Sequence, residues 1–237
     1  DEIRSDNRQR NSFLINLGSD FYLDEKHTLT TSILYTNSNK DYDSELLLND
    51  YQPLDELVKS SLRKVNDNSD EGFLEAFLQF TKKFNKEGHQ LSADIKYDNN
   101  LADNKTDIID TETFPGSTIT EQKYVKDENV NNFYAKADYI LPIKKNGNFE
   151  AGIKTNFRRY YNDFASSNLN QTTHLFETID FFTSKIDYQE NIYAFYANYS
   201  QQLEKLSFSL GLRTEITETS ITEKIIDDEY INNYTDI

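Results

Sequence analysis

The chain has 237 residues, 36% of them hydrophobic, with a net charge of −16, 16 Phe and 16 Tyr, and no Cys, Met or Trp. The lack of Cys excludes disulfide frameworks and thiolate metal sites, and the acidic balance argues against a nucleic-acid surface, which needs Lys and Arg against phosphate. Aromatic content of 14% is too high for a disordered acidic chain, yet the apolar content is low for a thick two-sided core.

No stretch approaches the roughly 18–20 apolar residues that a spanning helix requires. The N-terminal sequence has no basic start followed by an apolar run, so the chain reads as an internal piece of a longer protein.

In chain order, Phe13, Ile15, Leu17, Phe21 and Leu23 alternate with polar residues up to the turn Asp24-Glu25-Lys26-His27. Leu29, Thr31, Ile33 and Tyr35 then continue the alternation on the way out. A period of two is the signature of a strand with one wet and one dry face. A polar segment, Asn39 to Asp70, follows and is expected to be a loop broken at Pro53, with Leu46-Leu47-Leu48 and Leu54 to Leu62 as strand extensions or a short helix.

The second pair is less regular on entry, where Phe73, Leu74, Phe77, Leu78 and Phe80 put apolar groups on both faces. After the turn Asn85-Lys86-Glu87-Gly88, the residues Leu91, Ala93, Ile95 and Tyr97 restore the period. A second loop is expected from Asn99 to Glu128, with a break at Pro115.

The third pair is the clearest. Phe133, Ala135, Ala137, Tyr139 and Leu141 lead to Lys144-Lys145-Asn146-Gly147, and Phe149, Ala151, Ile153 and Phe157 lead away. A third loop is expected from Asn162 to Tyr188. The fourth pair runs Tyr193, Phe195, Ala197 and Tyr199, then Gln202-Leu203-Glu204-Lys205, then Leu206, Phe208, Leu210 and Leu212.

The four short turns recur at roughly sixty-residue spacing, with a long polar segment on the other side of each pair. Short turns at one end and long loops at the other predict an all-β fold, an antiparallel transmembrane β-barrel wall of about eight long strands with periplasmic turns and extracellular loops. Aromatics beside the turns (Phe21, Tyr22, Phe80, Phe84, Tyr139, Phe149, Tyr199 and Phe208) suit a lipid interface. Both chain ends fall on the loop side, Glu218 to Ile237 being loop-like, so residues 1–237 are expected to form a single segment of a larger barrel with at least one strand missing at each end.

The opposite, charged face carries the candidate functional residues. Lys136, Asp138, Glu150, Lys154, Asn156, Arg158, Arg213 and Glu215 are expected to face the lumen, where they can pair across strands, contact a plug or line a solute path. His27, His89 and His174 have no zinc spacing, and no nucleophile, base or cofactor motif appears. Asp103, Asp107 and Asp110 lack the Gly and closing Glu of a calcium loop.

The phrases Tyr139-Ile140-Leu141-Pro142-Ile143-Lys144, Phe149-Glu150-Ala151-Gly152-Ile153-Lys154, Tyr193-Ala194-Phe195-Tyr196-Ala197-Asn198-Tyr199-Ser200 and Phe208-Ser209-Leu210-Gly211-Leu212-Arg213-Thr214-Glu215 resemble the β-barrel region of the TonB-dependent receptor family, in the branch common in Bacteroidetes. The resemblance is clearest from about Phe133 to Glu215. It implies a barrel of about twenty-two strands, an N-terminal plug domain that this chain lacks, and an inner-membrane energising partner.

Three functions compete at this stage. The first is an outer-membrane transport protein admitting a scarce solute, with the lipid bilayer as its environment. The second is a barrel serving as a surface platform or assembly partner. The third is a soluble all-β adhesin or binding module. An enzyme is not expected, since no catalytic constellation emerges.

Overall fold

A computed structural model describes residues 1–53, 55–143 and 146–236. Ten strands form one antiparallel sheet: β1 (Glu2–Tyr22), β2 (His27–Gln52), β3 (Glu56–Lys83), β4 (Gln90–Phe114), β5 (Ile119–Ile143), β6 (Gly147–Leu169), β7 (Phe176–Thr178), β8 (Ser184–Gln202), β9 (Ser207–Glu223) and β10 (Asp228–Asp236). Sheet order follows chain order from β1 to β10, with β7 pairing only the top of β6, above the point where β8 begins. Among the described residues the sheet is open, since β1 pairs only β2 and β10 only β9. Among the described residues no helix is long and apolar enough to cross a membrane.

The first, second and fourth short turns lie where the sequence places them. Between β1 and β2, the Asp24 carboxylate accepts from the backbone N–H groups of Lys26 (2.7 Å) and His27 (2.9 Å), closing the turn from its own side chain. Gly88 takes φ +75° in the second turn, a backbone conformation that costs glycine nothing. Lys144 and Lys145 of the third turn lie outside the described residues.

The long loops are a correction. Most of Asn39 to Asp70 is strand, because β2 and β3 remain paired up to Gln52 and Glu56. Asn99 to Glu128 is likewise paired up to Thr111 and Ile119, with the break at Pro115 as expected. Leu46-Leu47-Leu48 and the described residues of Leu54 to Leu62 extend these strands and form no helix. Among the described residues only the third connection is long, from Asn170 to Thr183, and it holds β7 and one 3₁₀ turn, Asp180–Phe182. Glu218 to Asp236 is not loop either: β9 finishes there and β10 returns beside it. Among the described residues the strand count is therefore ten, eight of them running from 17 to 28 residues.

The physical reason is that polarity reports wetness and not backbone conformation. Where both faces of a strand meet water, the alternation disappears while the backbone ladder continues. Side chains then tie the strands together in register: Asn39 donates to Asp70 (2.5 Å), Asn66 to Asp43 (2.7 Å), Thr106 to Asp67 (2.8 Å), and Arg63 makes two bonds to Asp110 (2.7 and 2.9 Å). Asn170 supports the third connection by accepting from the backbone of Thr172 (2.8 Å) and Thr173 (3.1 Å), and His174 beside it turns at φ 55°.

Candidate functional site

Register sorts the side chains into two faces. One face carries an apolar band, from Phe13 to Phe21 on β1, Leu74 to Phe80 on β3, Phe133 to Leu141 on β5, Phe149 to Phe157 on β6 and Phe208 to Ile216 on β9. The longer of these runs cover about 27 Å of strand, or roughly 21 Å of height at a tilt of about 40°, close to the lipid-facing band of an outer-membrane barrel. Its residues are open to the surroundings, including Leu17 at 69%, Leu210 at 69% and Ile153 at 54%. A contiguous exposed apolar face of this size requires a non-aqueous neighbour.

Aromatic rings edge this band at both ends. At the turn end, Phe84 stacks on His89 (3.9 Å between centroids), which also meets Tyr139, and Tyr199 meets Phe208 at 6.1 Å. At the opposite end, Phe157 packs between Phe133 (6.1 Å) and Tyr193 (5.6 Å), level with Tyr97 across the register. This second ring was not foreseen as a ring, because its members lie far apart in sequence and only strand register levels them. Directly above it, Asn99 donates to Asn129 (2.8 Å) and Asn131 (2.9 Å), and the Tyr97 hydroxyl donates to Asn131 (2.9 Å). Hydrocarbon gives way to water within one or two residues.

All eight candidate residues lie on the other face. Pairing runs in level rungs across the strands: Gln79, Asp94, Lys136, Lys154, Ala194 and Glu215 form one, and Glu75, Asp98, Asn132, Arg158, Glu190 and Thr219 another. Asn156 sits between Tyr134 and Ile192, while Glu150 sits between Ile140 and Asn198 and accepts from Asn148 (2.7 Å). Lys136 pairs with Asp138 (2.5 Å) and Arg213 with Glu215 (2.5 Å), each along its own strand.

Lys136 lies directly opposite Lys154, a like-charge pairing that is unfavourable by itself. Asp94 beside Lys136 and the Lys136–Asp138 pair offset it. Lys154 instead lies over the Tyr134 ring (5.4 Å). Among the described residues, neither Lys154 nor Arg158 has a carboxylate partner within ion-pair distance.

Gly152 shows what else the polar face holds. It is paired with both Asp138 and Tyr196, and the Tyr196 hydroxyl passes over it to donate to Asp138. A Cβ here would collide with the Tyr196 ring and come within 2.8 Å of the Asp138 carboxylate. A glycine inside a strand opposite an aromatic is the sequence signal that could have marked this three-strand clasp. Gly152→Ala is expected to cost about 1–3 kcal/mol and Tyr196→Phe about 1 kcal/mol, with the double variant less than additive because both break one contact. Urea unfolding followed by far-ultraviolet circular dichroism measures this, and simple additivity would show that the two residues act separately.

The acidic trio does not converge. Asp103 and Asp107 point to the apolar-band side and Asp110 to the other, where Arg63 holds it, while Asp107 lies 3.5 Å from Lys123. Among the described residues no group of His, Asp or Glu could hold a metal ion. Arg158 and Arg159 likewise diverge, and Arg159 makes a two-bond pair with Asp187 (2.9 and 2.7 Å) that sequence spacing gave no sign of.

Among solved structures, the chain is similar to the copper transporter OprC (TM-score 0.47, 12% identity, over 97% of this chain and 41% of that one). It is also similar to FpvA of P. aeruginosa bound to heterologous pyoverdines (TM-score 0.45, 10% identity, 99% and 38%). The unliganded ferric citrate transporter FecA gives a TM-score of 0.36 at 7% identity, over 95% and 40%. The chain thus spans about two fifths of the length of these structures. No curated protein matches it in sequence. Residues 82–237 match the outer membrane protein beta-barrel family. That match sets aside the soluble adhesin and places the protein in the bacterial outer membrane: the chain belongs to the outer-membrane β-barrel family.

Proposed function

We propose that residues 1–237 form a single wall segment of a TonB-dependent receptor, a transport protein that binds a scarce solute outside the cell and admits it to the periplasm. The observation that carries this reading is the continuous polar face. Level rungs of charge run behind the whole apolar band, and Lys154 and Arg158 stand on them without carboxylate partners among the described residues. A barrel packed only for stability has no need of unpaired cations on its inner face, whereas a plug or an anionic solute group does. The resemblance of the strands from Phe133 to Glu215 to receptor barrels supports the same reading.

In this reading Lys136, Asp138, Glu150, Lys154, Asn156, Arg158, Arg213 and Glu215 line the lumen. A plug domain and an inner-membrane energising complex are the partners. The test is growth of a deletion strain on limiting metal, vitamin or glycan sources, with and without a protonophore. Uptake of one solute should require both the gene and the membrane potential. Uptake that survives loss of the potential would remove the energised receptor.

One observation favours the platform reading. Phe181 is 89% exposed and Phe182 59%, packed edge to face on the connection above β6 and β8. An exposed apolar tip at the cell surface suits a protein partner. Deletion of the segment Asp180–Phe182 would then abolish assembly with that partner while leaving solute uptake intact.

A further inference from the structure

At the end of the wall opposite the short turns, apolar side chains stand out from two neighbouring connections. Phe181 and Phe182 crown the third connection, where Leu175 is 66% exposed, and the turn after β9 presents Ile225 and Ile226, the latter 70% exposed. They belong to one patch. The Lys224 backbone N–H donates to the Lys185 carbonyl (2.8 Å), so Ile225 follows one end of that bond and Phe182 stands three residues before the other. That length of chain limits their backbone separation to roughly 17 Å. On the other side Gln171 donates to the carbonyl of Ile119 (3.3 Å), tying the same connection to the top of β5, and Ile119 is itself exposed.

Carboxylates surround these apolar groups. Residues 170–183 and 223–229 carry Glu177, Asp180, Glu223, Asp227, Asp228 and Glu229 against one lysine, Lys224, and one histidine, His174. Lys224 is turned away, its ammonium 3.0 Å from Asp187. The bordering cations are likewise spent lower on the wall, Lys185 on Asp163 (2.6 Å), Arg159 on Asp187 (2.7 Å) and Lys123 over the Phe176 ring and 3.5 Å from Asp107. Asp180 directly precedes Phe181 and Asp227 directly follows Ile226, so each apolar pair has a carboxylate beside it. Among the described residues the side chains of Asp180 and Asp227 have no ion-pair partner. The other end of the wall differs. Its four short turns carry four carboxylates against five lysines, with Leu203 their one apolar residue.

An apolar patch set among carboxylates selects a partner by sign. Anionic lipid, nucleic acid and acidic glycan are repelled, and a neutral polar partner leaves the phenylalanines wet. A polypeptide that shows Lys or Arg around apolar side chains meets both needs, since its apolar groups fill the centre of the contact and its charges the rim.

We infer that the third connection and the turn after β9 dock a cationic amphipathic polypeptide, its apolar side chains on Phe181, Phe182, Ile225 and Ile226 and its Lys or Arg groups on Asp180, Asp227 and Asp228. This partner chemistry rests on the platform reading of the Asp180–Phe182 tip and adds the sign of the charge it takes.

The experiment holds the full-length protein in phosphatidylcholine nanodiscs and measures by biolayer interferometry the binding of three synthetic peptides of equal length, with empty nanodiscs subtracted. One is an amphipathic Leu and Lys helix, the second its Leu and Glu counterpart, and the third a Ser and Lys peptide of the same charge as the first. The Leu and Lys peptide should bind at least tenfold tighter than either of the others. The Phe181→Ser, Phe182→Ser double variant should bring it down to the level of the Ser and Lys peptide. Asp180→Asn, Asp227→Asn, Asp228→Asn should raise its Kd at least fivefold and flatten the dependence on salt. Asp103→Asn, Asp127→Asn, which removes charge farther down the wall, should leave it unchanged. Equal binding of the three peptides by the native protein overturns the site without reference to any variant. An equal loss in the Asp103 and Asp127 variant would trace binding to net charge and also overturn it. Tight binding of the Leu and Glu peptide through the same two phenylalanines would overturn the cationic partner and keep the platform. Binding of the Leu and Lys peptide that ignores the loss of both phenylalanines would overturn the two together.

Discussion

Ile153→Arg is expected to destabilise the folded protein in lipid by about 2–4 kcal/mol, the depth-dependent cost of a cation at the midplane of a barrel's lipid face. Ile153 sits midway between Phe149 and Phe157 on β6, is 54% exposed, and faces the apolar band with Ala137 and Phe195 beside it. An arginine there has no water and no partner within reach. Asn156→Arg, three residues on, turns to the wet face and should change stability by less than about 0.5 kcal/mol. Ala151→Arg and Leu210→Arg lie nearer the turn end and should cost less than Ile153→Arg. The chain has no Trp, so unfolding is followed by circular dichroism or by the heat-dependent gel shift of barrels. Equal tolerance of arginine at 153 and 156 would refute the assignment of the two faces.

Acid should loosen the loop end of the wall before the rest. Arg159 hydrogen bonding, followed by that of Lys224, holds the Asp187 carboxyl at about 2, against a desolvation that pushes the other way. The folded-state value lies below the unfolded one, so the stabilisation is fully present above about pH 4 and is lost as pH falls toward 2. Because Arg159 is more than half exposed, solvent screening keeps the contribution to about 1–2 kcal/mol. Asp187→Asn should remove most of the pH dependence in that window and raise amide exchange along Asp163 to Arg159 and Lys185 to Gln189. An unchanged acid profile in Asp187→Asn would show that other carboxylates govern the loosening.

The two faces, the first, second and fourth short turns and the common face of the eight polar candidates were legible in the sequence, because a period of two within a single strand sorts its side chains and its interruption marks the turn. The alternation from Phe149 to Phe157 says which side chains share a face wherever that strand is put. The same signal failed from Asn39 to Asp70 and from Asn99 to Glu128. With water on both faces, Asn, Asp, Ser and Thr are equally at home in a loop and in a paired strand, and composition cannot separate the two.

What joins distant strands was decided only by the tertiary structure. The level of Phe133 with Phe157, the passage of Tyr196 over Gly152 to Asp138, and the meeting of Arg159 and Lys224 at Asp187 all depend on inter-strand register. A slip of one residue would turn every one of these side chains to the other face. Sequence by itself determined the chemistry of each strand face; register, summed over eight long hairpin-connected strands, determined which chemistries became neighbours.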